Sequence, residues 1–214
     1  MAVDFRDEAP AILKDYLIYK QTIKNMSKKT VDEYFIDLRT FFRFLKVMRG
    51  LVPDGTEFDE IKIDDVDLDL IKTVNLELAY DYMNFLYRDR NNKSASRARK
   101  CSSLKGFFKY ITNNKHLLDT NPVEQLESPK NKKALPKYLT LEQSIELLNV
   151  VDGNNKQRDY CILTLFLNCG LRVSEMAGLN YNDIHSDGTM RIVGKGNKAV
   201  SYTHLRAHET DQYL

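Results

Sequence analysis

Residues 27–45 run "SKKTVDEYFIDLRTFFRFL", and this stretch decides the fold class. Its apolar positions Val31, Tyr34, Phe35, Leu38, Phe41, Phe42 and Leu45 recur three and four residues apart, which places them on one face of a helix. Thr30 followed by Glu33 has the pattern of a capping box, so the helix is expected to begin there. A one-sided helix needs partners, and the flanking sequence supplies them. Pro10 suits the first turn of a helix whose face carries Ile12, Leu13, Tyr16, Leu17 and Ile23. Leu78, Tyr82, Phe85 and Leu86 mark another across residues 75–88. A further helix opens at Ser94, with Ala98, Cys101, Leu104, Phe108 and Ile111 as its inner stripe and Arg97, Arg99, Lys100, Lys105 and Lys109 on its other side. Residues 51–72, with Pro53 and Gly55, keep no period and are expected to be a loop with a short turn. Four helices over residues 1–120 make a compact bundle.

The chain has 214 residues, 43% of them hydrophobic, enough for a buried core. Its 32 Lys and Arg against 30 Asp and Glu give a net charge of only +2, which excludes little. The placement of those charges says more. Residues 88–115 hold nine basic residues (Arg88, Arg90, Lys93, Arg97, Arg99, Lys100, Lys105, Lys109, Lys115) and the single acid Asp89. Residues 54–69 hold eight acids and one base, Lys62. Such segregation suits a basic face offered to a polyanion with the acidic run held apart from it; solvated helix faces are the alternative. The three cysteines, Cys101, Cys161 and Cys169, lack the paired spacing of a zinc site and are expected to be buried thiols. No apolar run approaches membrane-spanning length and no signal peptide is evident, so a cytoplasmic protein without a membrane partner is expected.

Residues 121–137 contain three of the five prolines together with Lys130, Lys132, Lys133 and Lys137, the composition of an extended linker able to lie along a phosphate backbone. A second domain, residues 138–214, opens with a capping box at Thr140 and Gln143. "RDYCILTLFLNC", residues 158–169, is apolar nearly all round, as a central core helix would be. Gly170 is placed to end it, and a short helix should follow over residues 174–179. "TMRIVGKGNKAVSYT" alternates around a glycine-rich centre, which is a hairpin signal: a strand at residues 189–193, a turn at 194–198 and a return strand.

"NCGLRVSEMAGLNYNDI" followed by "RIVGKGNK" resembles the tyrosine recombinase and phage integrase family, most closely its Xer-type and integrative-element members. The resemblance covers nearly the whole chain. It implies a mainly α fold: an N-terminal four-helix SAM-like core-binding bundle, then the first part of an α+β catalytic domain with its β-hairpin. It implies double-stranded DNA as partner, a homo- or hetero-tetramer on that DNA in the full-length parent, and strand cutting and rejoining through a 3′-phosphotyrosine without ATP or metal cofactor. Arg172 in "GLRVSE" matches the family's first catalytic arginine, whose fork suits the charge gathering on a phosphodiester under attack. Glu175 matches a position that supports that arginine. Lys195 in "GKGNK" matches the hairpin lysine that protonates the departing 5′ oxygen. A P-loop is excluded, because its four-residue gap, Lys-Ser/Thr ending and following helix are missing. Contacts to DNA are expected from Arg97, Lys100, Lys105, Lys109, Lys130, Lys132 and Lys133.

The family's His-x-x-Arg cluster and nucleophilic tyrosine have no match. His204 and Arg206 are one residue too close, Tyr213 follows too soon for a separate helix, and residues 199–214 are expected to be a foreign or frame-shifted tail, with a genuine but divergent family tail as the alternative. The chain is therefore expected to bind DNA only. Two other readings remain open: a helical DNA-binding regulator with Arg97 and Lys100 on a recognition helix, and an interaction module with no nucleic-acid role.

Overall fold

The computed structural model describes residues 8–130, 135–186, 189–193 and 199–202, which fall in two compact units, Met1–Lys133 and Ala134–Leu214. The described helices of the first unit are α1 (Ala11–Thr22), α2 (Lys28–Met48), α3 (Leu68–Lys72), α4 (Leu76–Arg88) and α5 (Ser94–Lys109), and α5 runs on into a π-helical turn, Tyr110–Asn114. The second unit holds α6 (Leu141–Asn149), α7 (Lys156–Cys169) and α8 (Val173–Ala177), then the antiparallel pair β1 (Met190–Val193) and β2 (Ala199–Tyr202). The fold is mainly α, as the periodicity predicts.

α2 is the axis of the bundle. Val31, Phe35, Leu38, Phe41, Phe42 and Leu45 are each almost wholly buried. The helix starts three residues ahead of the predicted box, because Ser27 accepts from the Thr30 backbone N–H at 3.3 Å and so caps it earlier. Aromatic rings from four helices meet edge-on in the core, with centroids 5.1 Å apart for Phe41 and Tyr82 and 5.5 Å for Tyr16 and Phe107 and for Phe42 and Phe107. Ile23, expected on the inner face of α1, is 69% exposed beyond its end. Val123 and Leu126 are buried in the same core, so the start of the Pro-Lys segment packs on the bundle rather than lying free.

Two charge expectations are corrected. Lys100 was placed on the outer side of α5; it is 8% exposed, and its ammonium lies 3.0 Å from Asp37 of α2. Asp37 is itself 2% exposed and accepts from Arg99 at 2.8 Å and Ser103 at 2.8 Å as well, so the cation is buried because a carboxylate is waiting for it. Nor is the acidic run held apart. Asp65 accepts from Lys46 at 2.7 Å, and Asp59 takes Arg90, a member of the basic run, at 3.1 Å.

In the second unit the Thr140–Gln143 box forms with both of its bonds. α7 is not a central core helix among the described residues: none of its side chains is fully buried. Leu165, Phe166 and Cys169 pack on a small cluster of Leu171, Met190 and Ile192. An all-round apolar helix needs neighbours on every side, and α6 and the hairpin cover only part of it. The cysteines follow suit: Cys101 is buried, Cys169 half-buried and Cys161 exposed, against the expectation of three buried thiols. The strands pair in the predicted hairpin, Met190 opposite Tyr202 and Val193 opposite Ala199. The turn with Lys195 lies outside the described residues, as do His204, Arg206, His208 and Tyr213 of the tail. No described helix is long and apolar enough to cross a membrane.

The Asp37 network makes a quantitative prediction. Asp37→Ala strands the buried Lys100 ammonium and should cost roughly 3–5 kcal/mol, whereas Lys28→Ala, which breaks an exposed i,i+4 pair with Asp32, should cost under about 0.5 kcal/mol. Urea midpoints of the whole chain test this, and equal midpoints for the two variants would refute it.

A second prediction concerns the α1–α5 contact. A Cβ at Gly106 would stand 2.7 Å from the Tyr16 hydroxyl, which is buried with no hydrogen-bond partner and whose pKa burial pushes up. Tyr16→Phe should therefore not lower the melting temperature. Gly106→Ala should lower it in the native background and, through a helix-propensity gain of up to about 1 kcal/mol, raise it alongside Tyr16→Phe. A melting temperature lowered equally in both backgrounds would count against the clash.

Candidate phosphate site and nucleic-acid interface

Arg172 is positioned by the corner between α7 and α8. Gly170 ends α7 in the left-handed region at φ 61°, and its N–H donates to Phe166 O at 3.0 Å. Leu171 then anchors in the small core, at 6% exposure, and Arg172 follows with extended backbone at the cap position of α8. The Arg172 N–H donates to Glu175 Oε2 at 2.8 Å while its Nη1 donates to Glu175 Oε1. Bonds from the Arg172 backbone, and next from its guanidinium, hold the Glu175 carboxyl below its ordinary pKa. The Glu175 side chain is 8% exposed and that of Arg172 is 70% exposed. The carboxylate thus grips one edge of the guanidinium and leaves the rest open. A cleft of about 170 Å³ lies beside it, lined by Glu175, Asn180, Asp183 and Arg191 among others.

The basic helix of the first unit divides by occupation. Lys100 is spent on Asp37, Arg99 on Asp37 and Glu33, and Lys105 on the Leu126 carbonyl at 2.9 Å. Arg90 and Lys115 of the same run are paired with Asp59 and Asp15. Lys109 is exposed with no ion-pair or hydrogen-bond partner among the described residues, and Lys130 is exposed beyond the bundle. Arg97 has no acidic partner among the described residues; its guanidinium lies over the Tyr87 ring at 4.7 Å. Lys132 and Lys133 lie outside the described residues. Arg88 and Lys93, not among the expected contacts, are exposed at the α4–α5 junction with no partner among the described residues. They stand in the same basic run, but the expected contacts are drawn only from α5 and the linker lysines.

Two family models match the chain, the phage integrase N-terminal SAM-like domain over residues 13–115 and the phage integrase family over residues 137–210. The chain belongs to the phage integrase family. Among this integrase chain's relatives, the tyrosine recombinase XerC of Caldanaerobacter subterraneus subsp. tengcongensis is 49% identical over 88% of the chain and 53% of the relative. XerC of Syntrophus aciditrophicus is 33% identical over 87% of the chain and 57% of the relative. A tyrosine recombinase of Pseudothermotoga lettingae is 31% identical over 95% and 65%. The chain therefore spans little more than half the length of most of these relatives. Its fold is also similar to that of a lambda integrase dimer bound to a COC′ core site, with TM-score 0.58 and 16% identity over 89% of this chain and 62% of that one.

The grip of Glu175 on Arg172 sets a pH dependence. A carboxylate with a lowered folded pKa contributes stability above its unfolded value, about 4.5, and loses it only as pH falls through the lower folded value. The pair should be intact at neutral pH, and carboxyl-carbon NMR should give a Glu175 midpoint below 4.5. Arg172→Ala should return only part of that shift, since the backbone bond, its larger cause, survives. A midpoint at or above the ordinary value in the native chain would overturn the grip.

Proposed function

We propose that this integrase chain binds duplex DNA and that Arg172 and Lys195 serve strand cutting and rejoining in the whole protein. Residues 1–120 act as the core-binding domain, residues 121–137 as linker, and the catalytic part begins at residue 138. Arg172 carries the reading: it is braced by Glu175 yet 70% exposed, so its donors are held ready for the non-bridging oxygens of a phosphodiester. In the reaction a tyrosine hydroxyl attacks phosphorus, the bond to the 5′ oxygen breaks, and Lys195 supplies the proton that oxygen needs. The strand's 3′ phosphate is left on the tyrosine, and attack by a partner strand's 5′ hydroxyl reverses the step. Bond energy is kept throughout, so rejoining calls for no nucleotide cofactor. Such strand exchange joins two duplexes, which suits a tetramer of like or related chains on DNA.

Within the bundle the phosphate contacts fall to Arg97 and Lys109, with Lys130 from the linker and with Arg88 and Lys93 added. Lys100 serves the fold instead. This weakens the regulator reading, which needs Lys100 on an open recognition helix.

Fluorescence anisotropy with labelled duplex at increasing salt tests the reading. Arg97→Gln and Lys109→Gln should each reduce the slope of log affinity against log salt by about one. Lys100→Gln should lower stability and leave the slope alone. Binding that ignores salt, or is absent in the native chain, would sink the proposal.

A further inference from the structure

The junction between α4 and α5 holds an arginine that no acid among the described residues claims. α4 closes with the Asp89 and Arg90 N–H groups donating to Phe85 O, and Asn91 turns the chain through the left-handed region at φ 48°. Asn92 N–H then returns to Leu86 O at 2.9 Å, and α5 starts at Ser94. This turn brings Arg97, one turn into α5, over the ring of Tyr87, in the last turn of α4, with 4.7 Å from guanidinium carbon to ring centroid. Tyr87 is 58% exposed, so its ring is no part of the bundle core. Arg97 Nε is shut from solvent and has no hydrogen-bond partner. The other arginines of the basic run with close partners, Arg90 and Arg99, are held by carboxylates that also cancel their charge.

We propose that Tyr87 is a positioning residue for DNA binding: its ring face holds the Arg97 guanidinium in place while leaving its charge for a backbone phosphate. The proposal rests on the duplex-binding reading above. A long cationic side chain loses rotamer freedom when it is fixed at an interface, and a ring that orders it beforehand removes part of that loss. The ring face attracts the cation without neutralising it. Tyr87 and Arg97 therefore act as one unit in which only Arg97 meets the phosphate.

The experiment is a double-substitution cycle on the full chain, read as affinity for a random-sequence duplex across a salt series. Tyr87→Ala should weaken binding about threefold to tenfold with an unchanged salt slope, since the charge is still present but no longer ordered. Tyr87→Leu, which keeps apolar bulk without a π face, should behave the same way, and Tyr87→Phe should match the native chain. Arg97→Ala should reduce the slope by about one, and Tyr87→Ala added to it should cost nothing more. An equal loss from Tyr87→Ala with and without Arg97 overturns the positioning role, because the ring would then be acting on DNA or on the fold by itself. Full affinity in Tyr87→Leu overturns it too. A native chain that binds no duplex overturns the underlying reading and the proposal together, and is told apart from the other outcomes by the native titration alone.

Discussion

Asp37 sits inside the apolar face of α2, 2% exposed, and accepts from Arg99, Lys100 and Ser103 of α5. A buried carboxylate cannot be left without partners, so this contact fixes the rotation of α5 about its own axis. What α5 shows to solvent follows from that rotation. At about 100° per residue, Lys109 is nine residues and two and a half turns from Lys100, hence on the opposite side and exposed. Arg97 falls on the line of Leu104 and Phe108, facing inward, but near the helix start where the end of α4 offers Tyr87 instead of core. Turning α5 by one residue would carry the Lys100 ammonium off Asp37 and undo both placements.

The bundle was legible because its signal is periodic. The apolar stripe of α2 needed only spacing: every expected position but Tyr34 is buried, and Phe44, Asp37 and Lys46 are buried beside them without having been expected. What failed was residue type used in place of position. Lys100 was assigned to the outer face because it is charged, though it lies at helical spacing from Ser103, Leu104 and Phe107 on the buried side. The signal for its partner was present: Asp37 stands three residues after Tyr34 and four before Phe41, in the middle of an apolar stripe. An acid in such a place asks for a buried cation elsewhere. The acidic run misled for the same reason, since a cluster in sequence does not stay a cluster when Asp59 and Asp65 fold against Arg90, Arg43 and Lys46. Helix starts are inherently soft: Ser27 and Thr30 can both cap, and the two lysines between them are willing helix formers.

At the second unit the motif located Arg172, Glu175 and Gly170 correctly as a local group, because a left-handed glycine, an extended residue and a carboxylate three positions on are a short-range geometry. The environment of α7 was not legible. All-round apolarity says that a helix wants neighbours; it does not say which residues provide them, and the described ones cover only the side of Leu165, Phe166 and Cys169.

Under the proposed reading the exposed Arg172 and the half-buried Arg97 would each meet a phosphate, and each is braced by different chemistry. An unrestrained guanidinium loses conformational freedom when it meets a phosphate, so each is held in advance. Glu175 accepts one bond from the Arg172 guanidinium and one from its backbone N–H, and sets a negative charge against the anion that Arg172 would meet under that reading. That arrangement suits a group whose task is geometry at one phosphorus, where misplacement is costly. Arg97 is held by a ring, which directs less sharply and leaves the charge whole. That suits a contact whose task is affinity, where released counterions supply the free energy and any nearby phosphate serves. The brace alone does not assign a role, since Arg90 has both Asp59 and the Phe58 ring and Arg99 has two carboxylates within the fold; exposure beside its brace singles out Arg172, and the lack of an acidic partner among the described residues singles out Arg97.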